Sequence, residues 1–444
     1  MRRFLQFLVV LGLSVVACAA QQYSARTDRR TEPYKDTPPA IGPAGSVITD
    51  PIFGSRILRV TDPGADPKGA GRSLFTPSSA EQNSWNKTST MFYVDTAGGS
   101  FVLYSFDPTA MKAHLASAPN LPWNGEPQFS FSQANILYGM VRQDPVFQQY
   151  DVANGKVTDI NDASKCVKLQ SSDKGHGVTV SADDNRFMAT LGPQQDKNYL
   201  VYIYDRALGC RWYNTQTGEI GGQWGPKGTI SAPDRFLMHN ARLAKSGKFV
   251  YVTRGGGPGI GKGWAVWEID TLNVGVCERG CMGHHVVGYS HILGPSGMSH
   301  PLDVWMRPLN HVNDHSPLIS GLEPAKDFWY DSHYSWNNVD AADSSPVCFS
   351  TYSPKNPDVR GNPLLVTGPW ENEIDCAETD GKGSKVWRFA HTYSTAKNGF
   401  WSQPRGNVSQ DGRFFMFTSD WQDQLGKMPN GEKYRTDVFV VELK

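Results

Sequence analysis

Four of the eleven histidines occur at matching places, four or five residues before a turn that recurs along the chain. They are His176, His239, His285 and His333. Imidazole nitrogens bind divalent metals and exchange protons near neutral pH. If the recurring turns belong to repeated structural units, these histidines face a common centre. The spacing therefore predicts one site built from distant parts of the sequence.

The matching positions of the other repeats also carry side chains that could bind a ligand or act in catalysis. In chain order the seven positions are Glu81 or Gln82, Pro127 or Gln128, His176, His239 or Asn240, His285, His333, and Pro404 or Arg405. Three interpretations of this ring remain open. It binds a metal and catalyses a reaction, it binds a ligand without converting it, or its polar groups only hydrogen-bond water and backbone carbonyls.

The first interpretation is a divalent metal site. The predicted imidazole ligands are His239, His285 and His333. An amide oxygen of Gln82 or Gln128 completes the set, for a cation such as manganese or calcium. Such a metal polarises a carboxylate of the substrate.

The second interpretation is ligand binding without turnover. The amide groups of Gln82, Gln128 and Asn240 can hydrogen-bond a ligand. Tryptophan rings offer faces on which sugars stack, and the candidates are Trp85, Trp336 and Trp421. The expected partner is a small molecule or an oligosaccharide.

The recurring turns indicate a β-sheet protein. Each carries Asp, Asn, Ser or Gly where a hairpin needs a left-handed residue, and an apolar or aromatic strand follows. The first turn residues are Asn86, Ser132, Ser181, Ala244, Ser290, Asn337 and Ser409. Their spacing is close to, or longer than, the roughly 40 to 50 residues of a four-stranded propeller blade. The sequence predicts an all-β fold, a seven-bladed β-propeller over residues 46–444.

One further strand, from Ser55 to Asp62, lies ahead of the first repeat. The last repeat ends at Lys444 with room for one more strand. Pairing of the N-terminal strand with the C-terminal blade closes the ring and removes exposed sheet edges.

The N-terminal residues have the features of an export signal. Arg2 and Arg3 precede an apolar run that is too short for a membrane span, so residues 1–20 are predicted to be a signal peptide. The residues up to Cys18 resemble a lipobox, which favours lipidation of Cys18, although ordinary cleavage sites overlap it. Residues 21–45 are polar and proline-containing and predict a flexible tether. We expect a periplasmic protein, an outer-membrane lipoprotein or an extracellular protein, with membrane contact only through a lipid.

Six of the seven cysteines lie beyond Cys18, and an oxidising compartment makes disulfides the expected state. Connectivity does not follow from sequence alone. Proximity favours Cys166 with Cys210 between neighbouring blades, Cys277 with Cys281, and Cys348 with Cys376. A zinc site at Cys277 and Cys281 is the competing interpretation, but it lacks a second pair of Cys or His.

The composition excludes some partners. Lys plus Arg and Asp plus Glu both number 43, so no net charge attracts nucleic acid or an acidic membrane surface. The 44 glycines and 29 prolines are typical of many short strands joined by tight turns. We expect a monomer that binds no nucleic acid.

The clearest repeat begins with Ser409-Gln410-Asp411-Gly412 and continues through an aromatic strand to Thr418-Ser419-Asp420. This S-x-D-G turn with its strand resembles TolB-type and WD40-like propellers, and the resemblance covers most of the chain. Propellers of this kind host binding, scaffolding and catalysis, so the resemblance implies architecture rather than function. As a seven-bladed propeller with a histidine-rich axis, the chain has a weaker resemblance to the oligogalacturonate lyases.

The resemblance to these lyases implies a β-elimination at a uronate. A base removes the proton next to the carboxylate and a cation stabilises the enolate, with His176 or Arg405 assisting a metal. The sequence departs from the family in lacking its compact pair of histidines beside a glutamine. We expect an exported propeller that binds a glycan-derived ligand at its axial face. The alternative is a metal-dependent polysaccharide or oligouronide lyase.

Overall fold

The computed structural model describes residues 23–33, 37–96, 99–123, 126–194, 196–230, 235–254, 263–278, 283–295, 303–319, 331–337, 339–352, 366, 368–397, 399–429, 431 and 433–444. Within these residues the strands form seven sheets of four to six strands. The predicted seven-bladed β-propeller is confirmed. Short 3-10 helices occupy Pro63–Ala65, Ala163–Lys165 and Phe400–Ser402. No helix among the described residues has the length and apolar character of a membrane span.

The chain begins with a hairpin and continues through the first three blades. The hairpin consists of β1 (Val47–Thr49) and β2 (Arg56–Arg59). Blade 1 consists of β3 (Leu74–Phe75), β4 (Met91–Thr96), β5 (Phe101–Asp107) and β6 (Lys112–Ser117). Blade 2 consists of β7 (Gln128–Phe129), β8 (Ile136–Met140), β9 (Val146–Asp151) and β10 (Lys156–Asp162). Blade 3 consists of β11 (Lys174–Val180), β12 (Arg186–Gly192), β13 (Leu200–Asp205), β14 (Gly209–Asn214), β15 (Glu219–Gly222) and β16 (Gly228–Thr229).

Four more blades complete the ring. Blade 4 consists of β17 (Met238–Leu243), β18 (Phe249–Arg254), β19 (Trp264–Glu268) and β20 (Val274–Val276). Blade 5 consists of β21 (Val286–Val287), β22 (His291–Pro295), β23 (Val304–Pro308) and β24 (Ser316–Ile319). Blade 6 consists of β25 (Asp331–Ser335), β26 (Val347–Tyr352), β27 (Glu373–Ala377) and β28 (Val386–His391). Blade 7 consists of β29 (Gly406–Val408), β30 (Phe414–Ser419) and β31 (Asp437–Glu442), joined by β2 and β1.

Ring closure occurs as predicted, through the N-terminal hairpin in the last blade. Strand β2 pairs antiparallel with β31, and Ile57 lies opposite Val441. Adjacent side chains of β2 point to opposite faces of the sheet. Ile57 packs in the cluster between blades 6 and 7, whereas Leu58 packs in the cluster between blades 7 and 1. One short strand therefore joins two interfaces.

The predicted turns also lie where the repeat placed them, between the first and second strand of each blade. Acidic residues of these turns hydrogen-bond the neighbouring blade. Asp184 of blade 3 accepts from the backbone N–H of Phe131 at 3.2 Å in blade 2. Asp343 of blade 6 accepts from the N–H groups of Tyr289 at 2.6 Å and Ser290 at 2.7 Å in blade 5. The polar turn residues thus fix the positions of adjacent blades.

The segment before the propeller, predicted as a flexible tether over residues 21–45, is described in part. Its described part lies along the outer edge of blade 6, where the N–H of Arg388 donates to the carbonyl of Arg26 at 2.9 Å. Arg388 is fully buried and pairs with Glu373. Its Nη1 also donates to the carbonyls of Asp28 at 3.2 Å and Arg30 at 2.8 Å. A buried guanidinium needs acceptors for its N–H groups, and here Glu373 accepts from Nε and Nη2 while the segment accepts from Nη1.

Two of the predicted disulfides are present. Cys166 bonds to Cys210 and connects blades 2 and 3, whereas Cys348 bonds to Cys376 between adjacent strands of blade 6. The predicted pair of Cys277 with Cys281 lies outside the described residues, because Cys281 is not among them. Disulfides are typical of an oxidising, exported environment.

We predict that the two interfaces joined by β2 are important for stability. Ile57→Ala or Leu58→Ala removes a fully buried side chain and should lower the free energy of unfolding by about 2 to 5 kcal/mol. Urea unfolding measures this difference. The control is Val47→Ala on β1, where the side chain is 42% exposed and the expected change is below about 0.5 kcal/mol. An equal effect of all three changes would contradict a special role of β2.

Candidate functional site

A cavity of about 560 Å³ lies on the propeller axis. Every blade contributes to its wall, mostly through residues at or just before its first strand. The histidines in the wall are His176, His239, His284, His285 and His333. The charged residues are Glu81, Asp95, Glu126, Arg142 and Arg242. Five of the seven ring positions read from the sequence line this cavity, through Glu81, His176, His239 with Asn240, His285 and His333.

The three predicted metal ligands line this cavity but are not gathered into one ligand set. His285 is buried, its Nδ1 donates to the carbonyl of Gly283 at 3.1 Å, and its Nε2 accepts from Trp264 at 3.3 Å. His239 is half-exposed and pairs with the Asp196 carboxylate. Among the described residues, no three His, Cys, Asp or Glu side chains are placed to hold a metal ion.

His333 lies on the first strand of blade 6, two blades from His239, and has partners of its own. Its Nε2 lies 3.0 Å from Oε1 of Gln403, so the ring nitrogen donates to the amide oxygen. Its ring stacks on that of His284 at 4.1 Å between centroids. These contacts orient the imidazole as part of the cavity wall.

Arg242 spans the axis and connects three blades. It leaves blade 4, and its Nε lies 3.4 Å from Oε2 of Glu81 in the segment before blade 1's second strand. Its Nη2 lies 3.3 Å from Oε2 of Glu126, which precedes blade 2. Gly177 allows the close approach of the guanidinium, because a Cβ there would lie 3.0 Å from Nη1 of Arg242. Nothing in the pattern of repeats predicted this contact between blades.

Two carboxyl groups in the cavity have pKa values that are raised toward neutral pH. Burial raises the pKa of Glu81 to about 7, although the nearby guanidinium of Arg242 opposes the shift. Burial also raises the pKa of Asp95 to about 7, and the charge of Glu126 adds to this effect. Perturbed carboxyl groups in a cleft are typical of functional sites.

The predicted amide ligands Gln82 and Gln128 are buried and do not line the cavity. Nε2 of Gln82 donates to the carbonyls of Glu126 and Pro127 at 2.8 Å and of Val178 at 3.1 Å. Gln82 therefore joins blades 1, 2 and 3 near the axis. This contact is structural.

The tryptophans that we expected to stack on a ligand lie elsewhere. Trp85 packs between blades 7 and 1, Trp336 between blades 5 and 6, and Trp421 between blades 6 and 7. Each ring is buried, and none lines the cavity. Their apolar rings fill the interfaces between sheets, which is why they are unavailable to a ligand.

The aromatic residues of the cavity are instead Phe400 and Trp401. They are 42% and 44% exposed and form part of its wall. Arg405 lies behind them, with its guanidinium carbon 4.0 Å from the centroid of Phe400 and 4.7 Å from that of Trp401. The sequence does contain a signal for Phe400 and Trp401. They are two adjacent aromatic residues just before the seventh ring position, Pro404 or Arg405.

Arg405, a predicted catalytic residue, is fully buried beside the cavity. Burial lowers its pKa to about 10, and the charge of Asp95 partly opposes this. Its Nη1 donates to the carbonyl of Pro77 at 3.4 Å, but Nε and Nη2 have no hydrogen-bond partner among the described residues. A buried guanidinium N–H without a hydrogen-bond partner costs free energy, and binding of an acceptor group removes that cost.

The environment of His285 predicts acid sensitivity. Burial lowers its pKa to about 3, so it stays neutral in the folded protein while a histidine of the unfolded chain is protonated below about pH 6.5. Proton uptake by the unfolded state therefore reduces stability as the pH falls from about 6.5 to 3, by about 1.4 kcal/mol per pH unit.

Urea unfolding at a series of pH values, with His285→Gln, measures this contribution. The variant removes the titrating group and should show a shallower loss of stability in acid. The control is His114→Gln, at an exposed position on β6, which should keep the wild-type slope. Identical slopes in all three proteins would show that His285 does not cause the acid sensitivity.

Solved structures with a similar fold include two oligogalacturonate lyases. No family model and no curated protein matches the sequence. A structure described as oligogalacturonate lyase in complex with manganese has 11% identity and a TM-score of 0.57, over 92% of this chain and 98% of that chain. Oligogalacturonate lyase from Vibrio parahaemolyticus has 9% identity and a TM-score of 0.55, over 91% and 98%. At these identities the likeness concerns the fold, and this chain is a seven-bladed β-propeller of the kind that those lyases adopt.

Proposed function

We propose that the protein binds a glycan-derived ligand in the axial cavity. The exposed pair of Phe400 and Trp401, in a wall otherwise rich in charged and hydrogen-bonding side chains, carries this proposal. Aromatic faces stack on the C–H faces of sugars, while carboxylates, amides and guanidinium groups bind hydroxyls. The volume of about 560 Å³ is within the range of about 300 to 1,000 Å³ that is common for small-molecule pockets.

The charges of the cavity also suit sugar acids. Arg142 and Arg242 lie in the wall, and a guanidinium can bind a carboxylate through two hydrogen bonds. Asn240, which also lies in the wall, adds an amide group. Oligosaccharides with and without uronate units are therefore the appropriate probes.

We predict that Trp401→Ala weakens oligosaccharide binding by about tenfold, because it removes a stacking face. Isothermal titration calorimetry with galacturonate, xylose, glucose and N-acetylglucosamine oligomers measures the change. The matched control is Tyr434→Ala, since Tyr434 is an aromatic residue that is 39% exposed and lies outside the cavity. Failure of the wild-type protein to bind any probe, or equal weakening in the control, would count against the proposal.

A second candidate function is a polysaccharide lyase, as named for the two similar structures. Arg142 and Arg242 could neutralise a uronate carboxylate, and His176 lies in the same wall with a pKa that burial lowers. A neutral imidazole can accept the proton that elimination removes. The described residues do not fit a manganese centre, because both nitrogens of His285 hydrogen-bond within the protein.

The metal-dependent form of this activity has a direct test. We expect His285→Ala to leave the manganese content of the purified protein unchanged, because its ring nitrogens bond to Gly283 and Trp264. Elemental analysis after incubation with manganese measures the content. Ultraviolet absorbance of unsaturated uronate, with and without manganese, measures elimination in parallel. Stoichiometric manganese that disappears in the variant would restore the predicted metal site.

We further propose that the protein acts outside the cytoplasm, as a periplasmic, outer-membrane or extracellular protein. The disulfide between blades 2 and 3 and the one within blade 6 support an oxidising location. Fractionation of cells that express the full chain tests this location.

A further inference from the structure

The cavity contains a pair of carboxyl groups that ligand binding alone does not require. Glu81 and Glu126 come from different blades, and Arg242 contacts both, at 3.4 Å and 3.3 Å. Since one guanidinium reaches both groups, their separation is limited to about 9 Å. Carboxyl pairs that hydrolyse glycosides are about 5 to 9.5 Å apart.

The two carboxyl groups have different environments. Glu126 accepts hydrogen bonds from the hydroxyl of Ser78 and from Nη2 of Arg242. Glu81 is ion-paired with Arg242, but its Oε2 has no hydrogen-bond donor among the described residues, and burial raises its pKa to about 7. Pairs of carboxyl groups in unlike surroundings can divide the roles of acid and base.

Independent features of the same cavity indicate a ligand rather than a purely structural cluster. Phe400 and Trp401 present exposed ring faces in the wall. Behind them, Arg405 is fully buried and has two guanidinium nitrogens without a partner among the described residues. A sugar stacked on the aromatic pair lies in the same cavity as the carboxyl pair.

We propose that the protein hydrolyses a glycosidic bond in this cavity, with Glu81 as the acid and Glu126 as the base. The inference rests on the proposed function, since the sugar must bind first. Glu81 gives its proton to the glycosidic oxygen as the bond from C1 to that oxygen breaks. A water molecule forms the new bond to C1 and gives a proton to Glu126. One water is added across the bond, and nothing is oxidised or reduced.

Arg242 is a positioning residue in this scheme. It contacts both carboxyl groups and orients Glu126, while its charge limits the rise in the pKa of Glu81. It leaves from blade 4, so the two carboxyl groups depend on a side chain from across the axis. Glu81 and Glu126 are therefore brought together with Arg242 only when the ring of blades is closed.

The test uses the full mature protein and reduced oligosaccharides of galacturonate, xylose, glucose and N-acetylglucosamine. We expect at least one probe to give new reducing ends and saturated products by mass spectrometry. Glu81→Gln and Glu126→Gln should each lower the rate about a hundredfold or more. The control Glu219→Gln, at an exposed position on β15, should keep the wild-type rate.

Chemical rescue separates catalysis from folding. Formate added to Glu126→Ala should restore part of the rate, because a small carboxylate can replace the missing base, whereas a structural role gives no rescue. Unsaturated products would overturn the inference in favour of elimination. Binding by calorimetry without cleavage of any bound probe would overturn it and leave the proposed function standing. Neither binding nor cleavage would overturn both.

Discussion

Every blade of this propeller is apolar on both faces, and this constraint dictates the ring. Seven hydrophobic clusters occur among the described residues, and each lies between two neighbouring blades. An open row of the same sheets would leave one apolar face exposed at each end, at a cost of about 25 cal/mol per Å². Pairing of β2 with β31 brings the last blade against the first and covers both.

The candidate site is a consequence of closure. The first strands converge on the axis, so residues far apart in the sequence meet there. Arg242 reaches Glu81 and Glu126 because blade 4 faces blades 1 and 2 across the cavity. Low dielectric in this enclosed space raises the pKa of Glu81 and Asp95 and strengthens each charge interaction. Fold stability and site chemistry therefore share one geometric origin.

The sequence predicted what depends on repetition. The turns gave the number of blades and their register, and this register placed His176, His239, His285 and His333 around one cavity. The register of the repeats did not predict which histidine nitrogens or which tryptophan rings face the cavity, because their orientation depends on contacts between blades. Both nitrogens of His285 are taken by blades 4 and 5, and Trp85 and Trp336 fill interfaces. Phe400 and Trp401 lie outside the repeated strands, so the repeat carried no information about them.

The pairing of Ile57 with Val441 has a consequence for how the chain matures. Strand β2 is synthesised before all seven blades, whereas its partner β31 is made after the other strands of the ring. Contacts of such sequence separation form slowly, since a long loop must close first. Until β31 emerges, β2 has an unpaired edge open to other chains. The hairpin of β1 and β2 is therefore a part of the nascent molecule that must stay free of other chains while the blades are made.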